Sequence, residues 1–201
     1  GQPDVFQLDN IPVPEPGPNE ILINVKASSV NPVDWKIRQG HHKYTLGTHF
    51  PIVLGFDAAG IVETTGSEVT RFKPGDKVYG RLDKKYGCAL AEYAIGSQNV
   101  FAFIPDNMTF NEAAAIPLAA STALQALRDK AQLKTGESVL IIGATGGVGH
   151  FAVQIAKNIG GDVTAVCGSG HKEILERIQP HHTIDYSKTD LLKLNQTYDV
   201  I

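Results

Sequence analysis

Four glycines, Gly143, Gly146, Gly147 and Gly149, stand between an apolar run and an amphipathic one, with Ala144, Thr145 and Val148 filling the gaps. Without side chains, such a turn exposes backbone N–H groups and the start of a helix to an anion, and the natural anion for it is a diphosphate. Val139, Leu140, Ile141 and Ile142 before it form a continuous apolar run, as expected of a parallel strand covered on both faces. After it, Val148, Ala152, Ile155 and Ile159 recur at helical spacing on one face, while Lys157 and Asn158 fall elsewhere. Gly160 and Gly161 provide a helix stop, and Asp162 to Cys167 reads as the next strand. Strand, glycine turn, helix and strand are the context that a dinucleotide-binding fingerprint requires.

The end of that second strand bears on which dinucleotide. An NAD site usually places Asp or Glu there to hold the ribose 2′-hydroxyl, whereas an NADP site offers donors or cations to a 2′-phosphate. The stretch from Cys167 to Lys172 has no carboxylate and contains Ser169 and Lys172, which favours NADP(H). For Lys172 there is also a plain reading, a solvated residue in the first turn of the following helix.

Elements that must position these groups divide the chain in two. The first half shows short strand-like runs at Ile21–Val25, Ile52–Thr64, Val78–Tyr79, Ala89–Ile95 and Val100–Ile104, separated by turns such as Pro74-Gly75-Asp76. Thr109 and Glu112 form a predicted capping box that opens a helical region, Ala113 to Arg128, with a kink or break at Pro117. From Ser138 strands and helices alternate: a helix over Lys172–Ile178, a strand at Thr183–Tyr186, a helix near Asp190–Asn195 and a fourth strand at Tyr198–Ile201. The expected fold class is α/β, a mostly antiparallel β domain over residues 1–118 followed by the first part of a doubly wound parallel sheet over residues 119–201.

Composition narrows the function classes. With 201 residues and a net charge of −3, the chain can bury a core and offers no electrostatic case for nucleic acid or an anionic membrane. The longest apolar region, Ala113–Leu127, is interrupted by Pro117, Ser121, Thr122 and Gln125 and does not read as a membrane span. No secretory signal is visible, and two distant cysteines, Cys88 and Cys167, give neither a disulfide framework nor a paired metal motif, so a cytoplasmic, reducing compartment is expected. His41, His42 and His49 share a polar loop without a recognisable ligand spacing. No Tyr is followed four residues later by Lys, no Gly-Lys dipeptide occurs, and no Gly-x-Ser-x-Gly elbow is present.

Five segments carry a family resemblance: SSVNPVDWKIRQG from Ser28, FPIVLGFDAAGIVETTGSEVTRFKPGDKVYG from Phe50, ALAEYAI from Ala89, AAAIPLAASTALQAL from Ala113 and GATGGVGHFAVQIAK from Gly143. In that order and spacing the chain resembles the medium-chain dehydrogenase/reductase superfamily, in its zinc-free quinone oxidoreductase (zeta-crystallin-like) branch. The resemblance implies a GroES-like catalytic and substrate domain followed by a Rossmann NADP(H)-binding domain, with further strands before Gly1 and after Ile201. It also implies a homodimer. Zinc alcohol dehydrogenases would have Cys at Asn31 and a His-Glu pair at Phe56 and Asp57; amide and phenyl groups do not replace thiolate and imidazole around zinc, so no metal is expected.

The implied activity is an NADPH-dependent reductase that transfers hydride to a quinone or an α,β-unsaturated carbonyl. Two alternatives stay open: an NADPH-binding accessory or structural protein without turnover, and a zinc-free aldehyde or alcohol oxidoreductase. By the same resemblance, Gly143, Ala144, Thr145, Gly146, Gly147, Val148 and Gly149 hold the diphosphate, while Ser169, Lys172 and Tyr186 flank the 2′-phosphate. Thr122 matches a position beside the nicotinamide, or is a helix-start hydroxyl. Asn31 matches a polar residue near the nicotinamide ribose and substrate, or is a turn residue before Pro32. Lys36 lies where some relatives place a tyrosine, and Tyr44 is the nearest tyrosine to serve as a proton donor; Asn31, Lys36 and Tyr44 are therefore the catalytic candidates.

Overall fold

The structure is a computed structural model described for residues 1–41, 50–85 and 87–201, with the backbone alone at Lys172. It forms two compact units, Gly1–Leu118 and Ala119–Ile201.

In the first unit five strands pair in the order β4-β1-β2-β3-β5. They are β1 (Glu20–Ser29), β2 (Asp57–Thr65), β3 (Lys77–Arg81), β4 (Tyr93–Ser97) and β5 (Phe101–Phe103), and every pairing is antiparallel. Strand β4 alternates inward and outward, as a half-buried strand must. Ile21, Ile23, Val62, Phe72, Val78, Leu82 and Phe101 form one apolar cluster. A second cluster joins Ala59 and Ile104 to Ala113 and Ala114 of helix α2 (Phe110–Ala114). That helix begins with the predicted capping box: Thr109 N–H donates to Glu112 Oε2 at 2.8 Å, and Glu112 N–H to Thr109 Oγ1 at 3.3 Å.

Two local readings change. A helix that the strand pattern does not announce, α1 (Pro32–Gln39), follows β1; proline at its first position has a φ suited to a helix start and no N–H to leave unpaired. The predicted helix over Ala113–Arg128 is three pieces: α2 ends at Ala114, α3 (Pro117–Leu124) starts at the proline, and Gln125–Lys130 continues as a π-helical turn.

The second unit is a parallel sheet in the order β6-β7-β8. Its strands are β6 (Ser138–Ile142), β7 (Asp162–Cys167) and β8 (His182–Asp185), joined by α4 (Gly147–Ile159) and α5 (Lys172–Ile178). Val139, Ile141, Val153, Ala156, Val163 and Ala165 pack between sheet and helices. The predicted helix near Asp190 is one 3₁₀ turn, Leu191–Lys193, and the predicted fourth strand is an isolated parallel bridge between Val139 and Val200. Strand β8 stops one residue short of Tyr186.

The loops of the first unit are tied together by one buried amide. Gln98 Oε1 accepts from the N–H groups of Thr70 and Arg71 at 3.1 and 3.2 Å, while its Nε2 donates to Glu68 O at 3.2 Å and to Asn19 Oδ1. Gln98→Ala leaves those buried groups unpaired and should lower unfolding stability by about 2 kcal/mol in urea denaturation.

Candidate functional site

In the first unit the site is built around a carboxylate. Asp57 opens β2 and is fully buried; its Oδ2 accepts from Ser29 Oγ and from Asn31 Nδ2, each at 2.9 Å, and its Oδ1 accepts from Leu118 N–H at 3.0 Å. Asn31 precedes α1 as its N-cap and is itself buried. A second acid, Asp34 in the first turn of α1, accepts from Asn31 N–H at 2.7 Å and from Gly55 N–H at 3.2 Å. Burial pushes the pKa of both acids above the ordinary carboxylate range, and the charge of Asp34 adds a smaller push at Asp57. Asn31, expected either beside the nicotinamide ribose or as a turn residue before Pro32, is the N-cap of α1, with its amide nitrogen held on Asp57. Sequence reasoning took Asp57 only as a missing zinc ligand; the signal it passed over was an acid inside an otherwise apolar run, FDAAGIV.

Lys36, the other described catalytic candidate from this unit, does not join that cluster. It is exposed on α1, with its ammonium over the Trp35 ring at 5.5 Å from the centroid. Tyr44 lies outside the described residues, as do His42 and His49. Phe56 is buried, with the guanidinium of Arg81 over its ring. Among the described residues no group of three or more His, Cys, Asp or Glu side chains is placed to hold a metal ion.

In the second unit the glycine turn has the shape of a diphosphate cradle. Gly143 leaves β6 with φ +75°, a left-handed conformation that disfavours any side chain, and its N–H and that of Ala144 both donate to Val166 O at 3.0 Å. Gly149, in the first turn of α4, lies so near the turn that a Cβ on it would sit 2.1 Å from Gly143 O. Gly147, by contrast, faces open space. Gly146 is the N-cap and no side chain caps the helix, so the first N–H groups of α4 at Gly147, Val148 and Gly149 lack the partners that a helix interior would give them. Ala144 is buried beneath the turn, and Thr145 is half-buried within it.

The ends of β7 and β8 lie side by side, Cys167 opposite Asp185. Tyr186 N–H donates to Cys167 O at 3.1 Å, and its exposed ring lies against Gly168, where a Cβ would come within 3.0 Å of its hydroxyl. Ser169 Oγ is 2.8 Å from Ser187 Oγ. The structure therefore gathers Ser169 and Tyr186; the Lys172 side chain is outside what is described, although its backbone opens α5 beside them. It also brings in Asp185, Ser187 and Lys188, none of which the sequence reading selected, with Lys188 Nζ 3.6 Å from Asp185 Oδ2. Thr122 is exposed and sits well inside α3, which begins at Pro117, so the helix-start reading of its hydroxyl does not hold.

Residues 17–118 match the family described as the alcohol dehydrogenase GroES-like domain. The chain belongs to that family, and with it to the medium-chain dehydrogenase/reductase superfamily. It is 41% identical over 191 residues to a chloroplastic quinone-oxidoreductase homolog of Spinacia oleracea, covering 92% of this chain and 58% of that protein. It is 37% identical over 211 residues to a chloroplastic NADPH-dependent alkenal/one oxidoreductase of Arabidopsis thaliana, covering 100% of this chain and 54% of that one. Among solved structures, the quinone oxidoreductase of Coxiella burnetii superposes with a TM-score of 0.90 at 36% identity, over 100% of this chain and 65% of that one. The chain thus spans little more than half the length of these curated relatives. The pairing of an antiparallel GroES-like sheet with a parallel Rossmann-type sheet is the expected fold class.

Two substitutions probe the geometry. Gly149→Ala drives a methyl group into the backbone of Gly143 and should cost about 2 kcal/mol of stability by thermal or urea unfolding. Gly147→Ala, facing open space in the first turn of a helix, should be neutral or slightly stabilising in the same measurement.

Asp57→Asn replaces one acceptor oxygen by a donor among three donors and should destabilise by about 2 kcal/mol. Because the folded pKa of Asp57 is raised, its protonated form favours the fold. That advantage is complete at pH values below the ordinary carboxylate range and is lost as the pH rises through the raised value. The deficit of Asp57→Asn relative to wild type should therefore shrink between acidic and neutral pH, as followed by denaturant unfolding across that range.

Proposed function

We propose that this chain supplies the substrate-side and diphosphate-binding parts of an NADPH-dependent, zinc-independent reductase of quinones or α,β-unsaturated carbonyls. The observation that carries the proposal is the glycine turn, in which Gly143 and Gly149 approach each other as no side chain would allow and leave the first N–H groups of α4 open to an anion. The residues present fit NADP(H): a glycine turn that leaves open space at Gly143 and Gly147, and at the end of β7 a stretch, Cys167 to Lys172, with no carboxylate of its own. NADPH, when bound, would supply a hydride from its nicotinamide ring. Gly143 to Gly149 would hold its diphosphate, and Ser169, Lys172 and Tyr186 would flank the adenosine ribose.

The rest of the chain's task is orientation and exclusion of water. In the first unit Asn31 is the polar candidate for the nicotinamide ribose and substrate, and its amide is held in one orientation by Asp57 rather than left to rotate. Zinc independence is supported by the same contact, since the position where a zinc enzyme would present a ligand carries an amide committed to a carboxylate. Thr122 retains its proposed place beside the nicotinamide; Lys36 and Tyr44 remain candidates for delivering a proton. The names of the relatives, quinone-oxidoreductase homolog and alkenal/one oxidoreductase, support the acceptor class.

The homodimer and the cytoplasmic compartment belong to the same proposal. Both cysteines are unpaired, which suits a reducing compartment, and among the described residues no helix is long and apolar enough to cross a membrane.

The intact protein, treated with a chelator, should oxidise NADPH with a quinone and with an enone and should leave the saturated carbonyl analogue untouched. Loss of activity on chelation would overturn zinc independence. NADPH binding with no turnover of any acceptor would favour the accessory reading, and equal turnover of the saturated analogue the aldehyde or alcohol reading. Asn31→Ala should lower kcat/KM by about 100-fold, measured by steady-state NADPH oxidation, if the amide positions the reacting groups.

A further inference from the structure

The carboxylate missing from the end of β7 arrives from the neighbouring strand. Asp185 closes β8 directly opposite Cys167 in the parallel register. Its Oδ1 accepts from Ser187 N–H at 2.9 Å and from the Ser187 hydroxyl at 2.6 Å. An ionised carboxylate only accepts, and a serine has one proton to give, so the proton of Ser187 is committed to Asp185. Ser169 Oγ lies 2.8 Å from Ser187 Oγ. With the Ser187 proton already committed, the donor in that pair is Ser169. Ser169 is also a side-chain hydrogen-bond partner of Asp185 itself, so its proton is turned toward Ser187 and Asp185, and Ser169 is left with lone pairs to offer.

Lone pairs suit one ribose and not the other. A ribose 2′-hydroxyl can donate to Ser169, whereas the oxygens of a 2′-phosphate only accept and are repelled both by those lone pairs and by the charge of Asp185. Ser169 and Asp185 line a hollow of about 210 Å³ whose walls also include Cys167, Gly168 and Lys188. The charge of Asp185 is felt there: the hydrogen bonds from Ser187, and a lesser one from Ser169, hold its pKa below the ordinary range, and it adds to the burial that pushes the Cys167 thiol up. Lys188 offsets that charge only in part, because its ammonium is exposed and screened by water.

We propose that Asp185, acting on Ser169 directly and through Ser187, is the residue that restrains the preference of this site for NADPH over NADH, by turning the Ser169 hydroxyl into an acceptor. The inference rests on the reading of the β7 end as the adenosine ribose subsite. It makes Asp185 and Ser187 positioning residues, since Ser169 is the group that would touch the cofactor. It also divides the subsite: Tyr186 lies against Gly168 and accommodates either ribose, while the relay favours the unphosphorylated one.

The test is the ratio of NADH to NADPH dissociation constants, measured by fluorescence titration on the intact protein. Asp185→Ala, which removes both the charge and the acceptor, should raise that ratio about ten-fold, and Asp185→Asn, which removes the charge and keeps an acceptor oxygen, about three-fold. In a Ser169→Ala background, Asp185→Ala should move the ratio less than it does in wild type, a dependence that a general loss of structure would not produce. If wild type binds both cofactors and neither single variant changes the ratio by more than about two-fold, the role of Asp185 is overturned while the dinucleotide site stands. Binding of neither cofactor by wild type would overturn the dinucleotide reading and this inference with it.

Discussion

A carboxylate buried among backbone and amide donors holds the first unit in register. Asp57 belongs to β2, yet its three partners come from the end of β1, the start of α1 and the start of α3, so one side chain fastens four segments. Such a group is unfavourable in an apolar interior unless its acceptor positions are filled, and once filled it makes each partner costly to move. Asp34 repeats the device one turn into α1, joining the N–H of Asn31 to that of Gly55. The Asn31 amide is consequently held in place by the fold around it.

The glycine turn in the second unit reaches a similar end by opposite means. There nothing polar is inserted; side chains are withheld, so that Gly149 can lie against Gly143 and the helix start remains uncapped. The first unit satisfies its donors internally with carboxylates, and the second leaves the first N–H groups of α4 without a side-chain cap. Both arrangements depend on backbone placed by packed strands: Ala144 is buried beneath the turn, and Ala58 and Ala59 follow Asp57 into the core.

What could be read in the sequence was what depends on neighbours along the chain. The strand, turn and helix over Val139–Ile159, and the capping box at Thr109 and Glu112, are local patterns, and they appear where those patterns place them. The helix α1 was hidden because its eight residues mix Pro32, Trp35, Lys36 and Arg38 with only Asp34 and Ile37 buried, which leaves no clear apolar stripe. The segments near Asp190 and Tyr198 read as a helix and a strand, but their residues are largely exposed and they form only a 3₁₀ turn and a single bridge. Asp57 and Gln98 were invisible for a different reason. A buried polar residue is recognisable only from partners that lie far off in sequence, and for these two the partners come from several separate segments.

The same limit applies with more force to cofactor choice. A rule that inspects one strand end for an acid treats the 2′ position as a property of one segment, whereas a parallel sheet sets the ends of successive strands beside each other by construction. Here β7 ends in Cys167-Gly168-Ser169 and β8 in Asp185, and the register makes them neighbours although 18 residues separate the two serines that connect them. An acid supplied across the sheet still carries its charge, and it orients the protons of the hydroxyl groups that lie against it. Discrimination in such a site becomes a matter of which way a proton points, and that direction is set by the last acceptor in the chain, not by the residue that touches the ligand.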